Sequence, residues 1–228
     1  MKNTGTLLAA GALAAVSTRE TEAAETVLEP AFQVIMGYTF GGTRAPLTVV
    51  SDLVKASKND PAQRLSVERQ LVALLKSPDA SYDCKDFVCR QLWVCGSRES
   101  IPVLALMLTD DKYSDMARYV LERSASPEAG KALRDALGKA YGIARIGIVN
   151  SLGVKKDTAS VPLLEKIGAG GDDEPAPAAV MALSKIGGAK ASVIVTRANT
   201  TGGAKTRIAA ELALRVLTNK PAPRKKAL

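Results

Sequence analysis

Histidine occurs nowhere in the 228 residues, which removes the commonest general base and the commonest metal ligand together. Aromatic residues make up only 4% of the chain, whereas carbohydrate sites and base-stacking surfaces draw on several rings. Cysteine is scarce, with Cys84, Cys89 and Cys95 falling within one twelve-residue stretch. If that stretch is helical, Cys84 and Cys89 point about 140° apart, Cys89 and Cys95 about 120° apart, and Cys84 and Cys95 lie about 16 Å apart along the axis. No pair can be bridged, and none has a metal-site spacing. The three thiols are expected to be small packing residues, Cys84 being the most exposed because it adjoins the expected helix start at Asp83. Long apolar runs are also missing, so no stretch is expected to cross a bilayer.

What is present is a helical pattern that returns about every thirty residues. Apolar helix ends run into a small residue at Gly96, Ser124, Gly153 and Gly187, with a weaker copy at Thr218; the intervals are 28, 29, 34 and 31 residues. A fixed period of this length marks a stacked array of supersecondary units. The fourth residue before each mark is Leu92, Val120, Val149, Leu183 or Leu214, and the seventh is Cys89, Ala117, Ile146, Val180 or Glu211. Three residues along a helix is about 300° of rotation, so the two columns share one buried face. Glu211 breaks the second column where a terminal unit has no outer neighbour. A second amphipathic segment follows each mark, over 101–108, from Pro127 to about Lys139, and over 160–167. Pro102 and Pro162 stand where a helix begins, since the missing donor is unpaired there anyway. Each unit is thus two antiparallel helices, neither able to bury its apolar stripe alone. Helical runs from about residue 23 to Gly37, over 47–54 and over 62–76 extend the pattern towards the N-terminus as a capping section and one irregular repeat.

Charge and termini add two segments. Of the net +8, four charges belong to Lys220, Arg224, Lys225 and Lys226 in a stretch with no acid, which leaves +4 for the rest. The stretch 219–228 is basic, Pro-rich and without apolar period, and reads as a disordered tail. At the other end, Lys2 precedes an apolar run over 7–16 with small residues at Ala15 and Ser17, which meets the minimum for a secretory signal peptide over 1–17. Export to a periplasm or the exterior is the expectation, with the cytoplasm as the alternative; three thiols weigh against export. The Gly-rich stretches 169–175 and 200–206 read as links between helices, the first placing acids at a helix start. Gly-Gly-Ala-Lys-Thr lacks both the first glycine and the preceding strand of a phosphate-binding loop.

The segment Asp-Thr-Ala-Ser-Val-Pro-Leu-Leu-Glu-Lys-Ile-Gly (157–168) and the closure Ala-Leu-Ser-Lys-Ile-Gly (182–187) resemble HEAT repeats. The short form found in bacterial HEAT-like proteins, including the phycobilin lyases, is similar over roughly residues 60–218. The resemblance implies an all-α fold, an α-solenoid or superhelix of about five or six antiparallel helix pairs. Residues 18–60 would form N-terminal capping helices and 61–218 the repeats. It implies no particular activity.

Four cations are the candidate partner-binding residues. Arg90 and Arg118 hold the same place in adjacent repeats and could grip a carboxylate or phosphate; the simpler reading pairs them with Asp86 and Asp115, three or four residues back. Lys131 and Arg134 lie on a charged face with Asp135 and Lys139, most simply a self-paired solvated surface. The resemblance places such second helices on the concave side, where a partner would lie. The function expected is a monomeric, non-enzymatic scaffold or adaptor for a protein or peptide, with no cofactor and no metal. One rival is a HEAT-like bilin lyase or chaperone-type enzyme, set back by the absent histidine and scarce rings. The other is a nucleic-acid-binding HEAT-like domain, set back by the modest core charge and the single tryptophan, Trp93.

Overall fold

A computed structural model describes residues 28–170 and 174–218. The expected signal peptide over 1–17 and the basic tail over 219–228 lie outside these residues, as do Asp172 and Asp173. Proline sets where helices begin. It occupies one of the first two positions of α1 (Pro30–Val34), α2 (Ala45–Ala56), α3 (Pro61–Lys76), α5 (Ile101–Met107), α7 (Pro127–Leu137), α9 (Val161–Gly168) and α10 (Pro175–Ile186). Its fixed φ suits a first turn, and its absent N–H costs nothing there. Pro30 also corrects the expectation of a helix running from about residue 23. Leu28 and Glu29 are not helical, and α1 starts at the proline because a helix interior would not tolerate it.

The remaining helices are α4 (Tyr82–Cys95), α6 (Ser114–Arg123), α8 (Gly142–Val154), α11 (Gly188–Thr201) and α12 (Ala204–Leu217). No strand occurs among the described residues. Even-numbered helices stack in one unbroken row, α2 on α4, α4 on α6, and so on to α12. Odd-numbered helices form a second row, α1 against α3, α3 against α5, α5 against α7, and α9 against α11. Each odd helix packs on the even helix that follows it, giving six helix pairs among the described residues. The molecule is an all-α solenoid. Its odd row is thinnest between α7 and α9.

Leu92, Val120, Val149 and Leu183 are all at most 4% exposed and belong to one continuous apolar cluster. At roughly 25 cal/mol per Å² of apolar surface, each such side chain stabilises the array by about 1.5–3 kcal/mol. The second column departs at one point. Ile146 is only half-buried, and Ala144 and Ile148 fill the core in its place. Nor does α8 stop at Gly153: it runs on to Val154, and a Cβ at Gly153 would stand 2.7 Å from the Cα of Ala182. That glycine is therefore a contact point between α8 and α10 rather than a terminator. At Gly187, by contrast, φ is +73°, and the glycine ends α10 by its conformation.

Buried polar groups fix the links. Glu68, 1% exposed on α3, accepts hydrogen bonds from the backbone N–H groups of Ser97 (2.6 Å) and Ser100 (3.1 Å). A carboxylate there suits the unpaired amides that precede α5. Ser100 and Ser160 take the same place in two repeats, each donating its hydroxyl three residues back, to the carbonyls of Ser97 and Asp157.

Candidate functional site

All four candidate cations meet carboxylates of the chain itself. On α4, Arg90 donates to Asp86 at 2.5 Å, one turn back and exposed. On α7, Lys131 donates to Asp135 at 2.5 Å, equally exposed. Such surface pairs are worth about 0–1 kcal/mol and exchange readily for other anions.

The other two are built into the packing. Arg118, 23% exposed, reaches Asp115 at 3.1 Å and Glu122 at 3.4 Å on its own helix, and the Ser151 hydroxyl of α8 at 3.1 Å. Ser151 donates to Glu122 at 2.7 Å, closing the network across two repeats. Arg134, also 23% exposed, donates to both oxygens of Asp157 at 2.6 and 2.8 Å. It thereby ties α7 to the turn that precedes α9.

Two open grooves flank that ion pair where the odd row thins. One, of about 550 Å³, is lined by Glu122, Ser126, Gly130, Lys155 and Asp157 as well as Arg134. The other, of about 400 Å³, is lined by Asp135, Arg145, Leu163, Ile167 and again Arg134. Lys155 donates to the carbonyl of Ser124 at 2.6 Å; burial pulls its ammonium below the ordinary lysine range, while Asp157 and Glu122 push it back up. Lys131 stands one turn before Asp135, a wall of the second groove. Thus Lys131 and Arg134 fall beside one opening, whereas Arg90 and Arg118 lie on the even row.

The thiols take no part. Cys84, Cys89 and Cys95 are free and buried, and the expected exposure of Cys84 is corrected to none, since the α4 face it occupies turns inward at once after the Ser81 cap. Burial pushes Cys84 up to about 11 and Cys89 and Cys95 up to about 12. A thiol so held protonated is a poor nucleophile. Among the described residues, no group of three or more Asp, Glu, Cys or His side chains converges as a metal would require.

Two aromatic stacks are features that the sequence reading missed. Trp93 of α4 lies on Tyr119 of α6, with centroids 5.6 Å apart and planes at 12°; Tyr82 lies on Tyr113 at 6.0 Å and 24°. Tyr82 and Tyr113 stand at the starts of successive even helices, 31 residues apart, so their recurrence at the repeat interval was the available signal.

No family model matches the chain, and no curated protein matches it. Among solved structures, it is similar to human deoxyhypusine hydroxylase in complex with glycerol, with a TM-score of 0.48 and 16% identity over 78% of this chain and 75% of that one.

Proposed function

We propose that the chain is a HEAT-like, non-enzymatic scaffold that binds a protein or peptide partner on its concave surface, working outside the cytoplasm as an exported monomer without a cofactor. The observation that carries the reading is the opening of the odd row between α7 and α9, where two grooves share Arg134 as a common wall. Solenoids recognise partners through extended surface and need no catalytic cluster. Lys131 and Arg134 are the candidate contacts beside these grooves, and Arg90 and Arg118 are candidate contacts on the even row, each engaging a partner carboxylate by exchange with its own. Lys131 and Arg90 exchange at least cost because their pairs are exposed.

The test is recovery of a defined partner from envelope extract with the tagged chain, compared with a variant carrying Lys131→Glu and Arg134→Glu. Circular dichroism confirms that the variant keeps its helices. Loss of the partner from the folded variant supports the reading. Undiminished recovery removes these contacts from it. A coloured adduct on incubation with a bilin replaces the scaffold with the lyase, and a salt-sensitive DNA shift that survives deletion of 219–228 replaces it with the nucleic-acid reading.

A further inference from the structure

We propose that the seam between α4 and α6 is a docking groove for an acidic peptide segment of the partner, with one carboxylate seated beside Trp93 and Arg123. The inference rests on the scaffold reading and assigns it a different face and a partner chemistry.

The chain has one tryptophan and five tyrosines, and four of these six rings form the two stacks that join α4 to α6. Cations cover the stacks. The Arg123 guanidinium lies 4.6 Å from the Trp93 ring, Lys85 and Lys112 each lie 5.2 Å from the Tyr113 ring, and Lys112 lies 5.7 Å from Tyr82. Among the described residues none of these three cations has an ion-pair partner, in contrast to Arg90 and Arg118 on the same two helices. Three acids beside these cations in the chain are committed elsewhere: Asp83 accepts from the Phe40 amide, Asp86 pairs with Arg90, and Asp110 accepts from the Lys112 amide.

A pocket of about 210 Å³ closes the Trp93 end of the seam, between the helix ends at Gly96 and Ser124. Arg64, Arg123, Ser97 and Ser124 line it with Trp93, and no acidic residue does so among the described residues. The buried indole N–H of Trp93 has no acceptor in the protein. A buried donor without an acceptor is costly, and an incoming oxygen that reached it would recover that cost. Arg64 gives its Nε–H to the carbonyl of Cys95, and Glu68 behind the wall is spent on the amides of Ser97 and Ser100. Arg64 and Arg123 are therefore two pocket cations without an ion-pair partner among the described residues, and Arg123 is the one that also covers the Trp93 ring. Trp, Tyr and Arg side chains packed together are also the composition of an interface centre. A peptide is favoured over a single-stranded nucleic acid because ring faces stacked on each other and on cations are not open to bases, whereas carboxylates supply what the cations lack.

Trp93 is the single tryptophan, so its emission reports this groove alone. The full chain is titrated with a soluble peptide of alternating Glu and Gly. A saturable change in Trp93 emission, weakened by added salt, is expected. Arg123→Glu and Lys112→Glu, both at exposed side chains, are expected to weaken it about tenfold each, because like charge then faces the ligand; Lys190→Glu, at an exposed position of α11, leaves it unchanged. The proposal is overturned by an equal response to the matching Gln and Gly peptide, by unaltered affinity in the Arg123→Glu variant, or by tighter binding of oligothymidylate. If the acidic peptide fails while the pull-down still recovers a partner, this groove falls and the scaffold reading stands; if the pull-down fails too, both fall.

Discussion

The side chain of Arg118 lies across Gly147 of the next repeat, so closely that a Cβ on the glycine would stand 2.8 Å from the arginine Nε. Arg90 and Arg118 hold equivalent places in successive repeats, and the third place is a glycine because the second arginine covers it. Gly147→Ala therefore sets two effects against each other. Alanine adds roughly 1 kcal/mol of helix propensity in α8, yet expels a guanidinium held by Asp115, Glu122 and Ser151. The substitution is expected to be neutral or destabilising in the parent chain and stabilising by about 0.5–1 kcal/mol beside Arg118→Ala, a coupling of about 1–2 kcal/mol. Urea unfolding of the four chains measures it. Equal effects in both backgrounds would falsify the contact.

Gly153 offers a harder test, since its neighbour is backbone. A Cβ there meets the Cα of Ala182 at 2.7 Å, and neither helix can yield without parting α8 from α10. Gly153→Ala is expected to destabilise by about 1–3 kcal/mol through overpacking. Gly138→Ala, where nothing lies within 4 Å of the added atom, should leave the melting temperature near that of the parent. A Gly153→Ala protein as stable as the parent would remove this contact from the account of how the rows pack.

Glu68 is a buried carboxylate whose removal leaves two amides without an acceptor. Glu68→Ala is expected to cost about 2–4 kcal/mol and Glu68→Gln less, since the amide oxygen can still accept. Hydrogen exchange at Ser97 and Ser100 gives the local readout and should quicken in the alanine variant. Unchanged protection there would show that the carboxylate does not hold this link.

The buried thiols make stability depend on alkaline pH. Unfolded thiols ionise near the ordinary value of 9.0, whereas folded ones hold their protons to about 11 or 12. The unfolded state therefore releases protons first as pH rises. The stability these groups provide is complete below pH 9 and falls between about pH 9 and 12. A chain with Cys84, Cys89 and Cys95 all replaced by alanine is expected to lose stability less steeply over that interval, in unfolding curves taken at stepped pH. Parallel pH profiles for the two chains would count against the shifted thiols.

The repeat was legible because closing residues, at five marks, and first-turn prolines, in seven helices, are local signals. Leu92, Val120, Val149 and Leu183 could be placed in one seam from spacing alone. Ile146 could not, because Ala144 and Ile148 take the core positions on α8 in its place, a choice set by how α8 is turned against its neighbours. The pairing of Arg90 with Asp86 and of Arg118 with Asp115 could be read from helix spacing. The partners Asp157 for Arg134 and Ser151 for Arg118 come from neighbouring repeats, whose rotation no linear pattern records. The aromatic stacks escaped for another reason: a low overall ring content says nothing about how the few rings are gathered, and the recurrence of Tyr82 and Tyr113 at the repeat interval was passed over.

The two rows differ in continuity, and this has a mechanical consequence. A load that bends the array is borne by the unbroken even row as by a spine, while the odd row changes length where it is thinnest, between α7 and α9. The Arg134–Asp157 pair spans that thin place as a tie, so the width of the groove that both residues line is coupled to the curvature of the whole molecule.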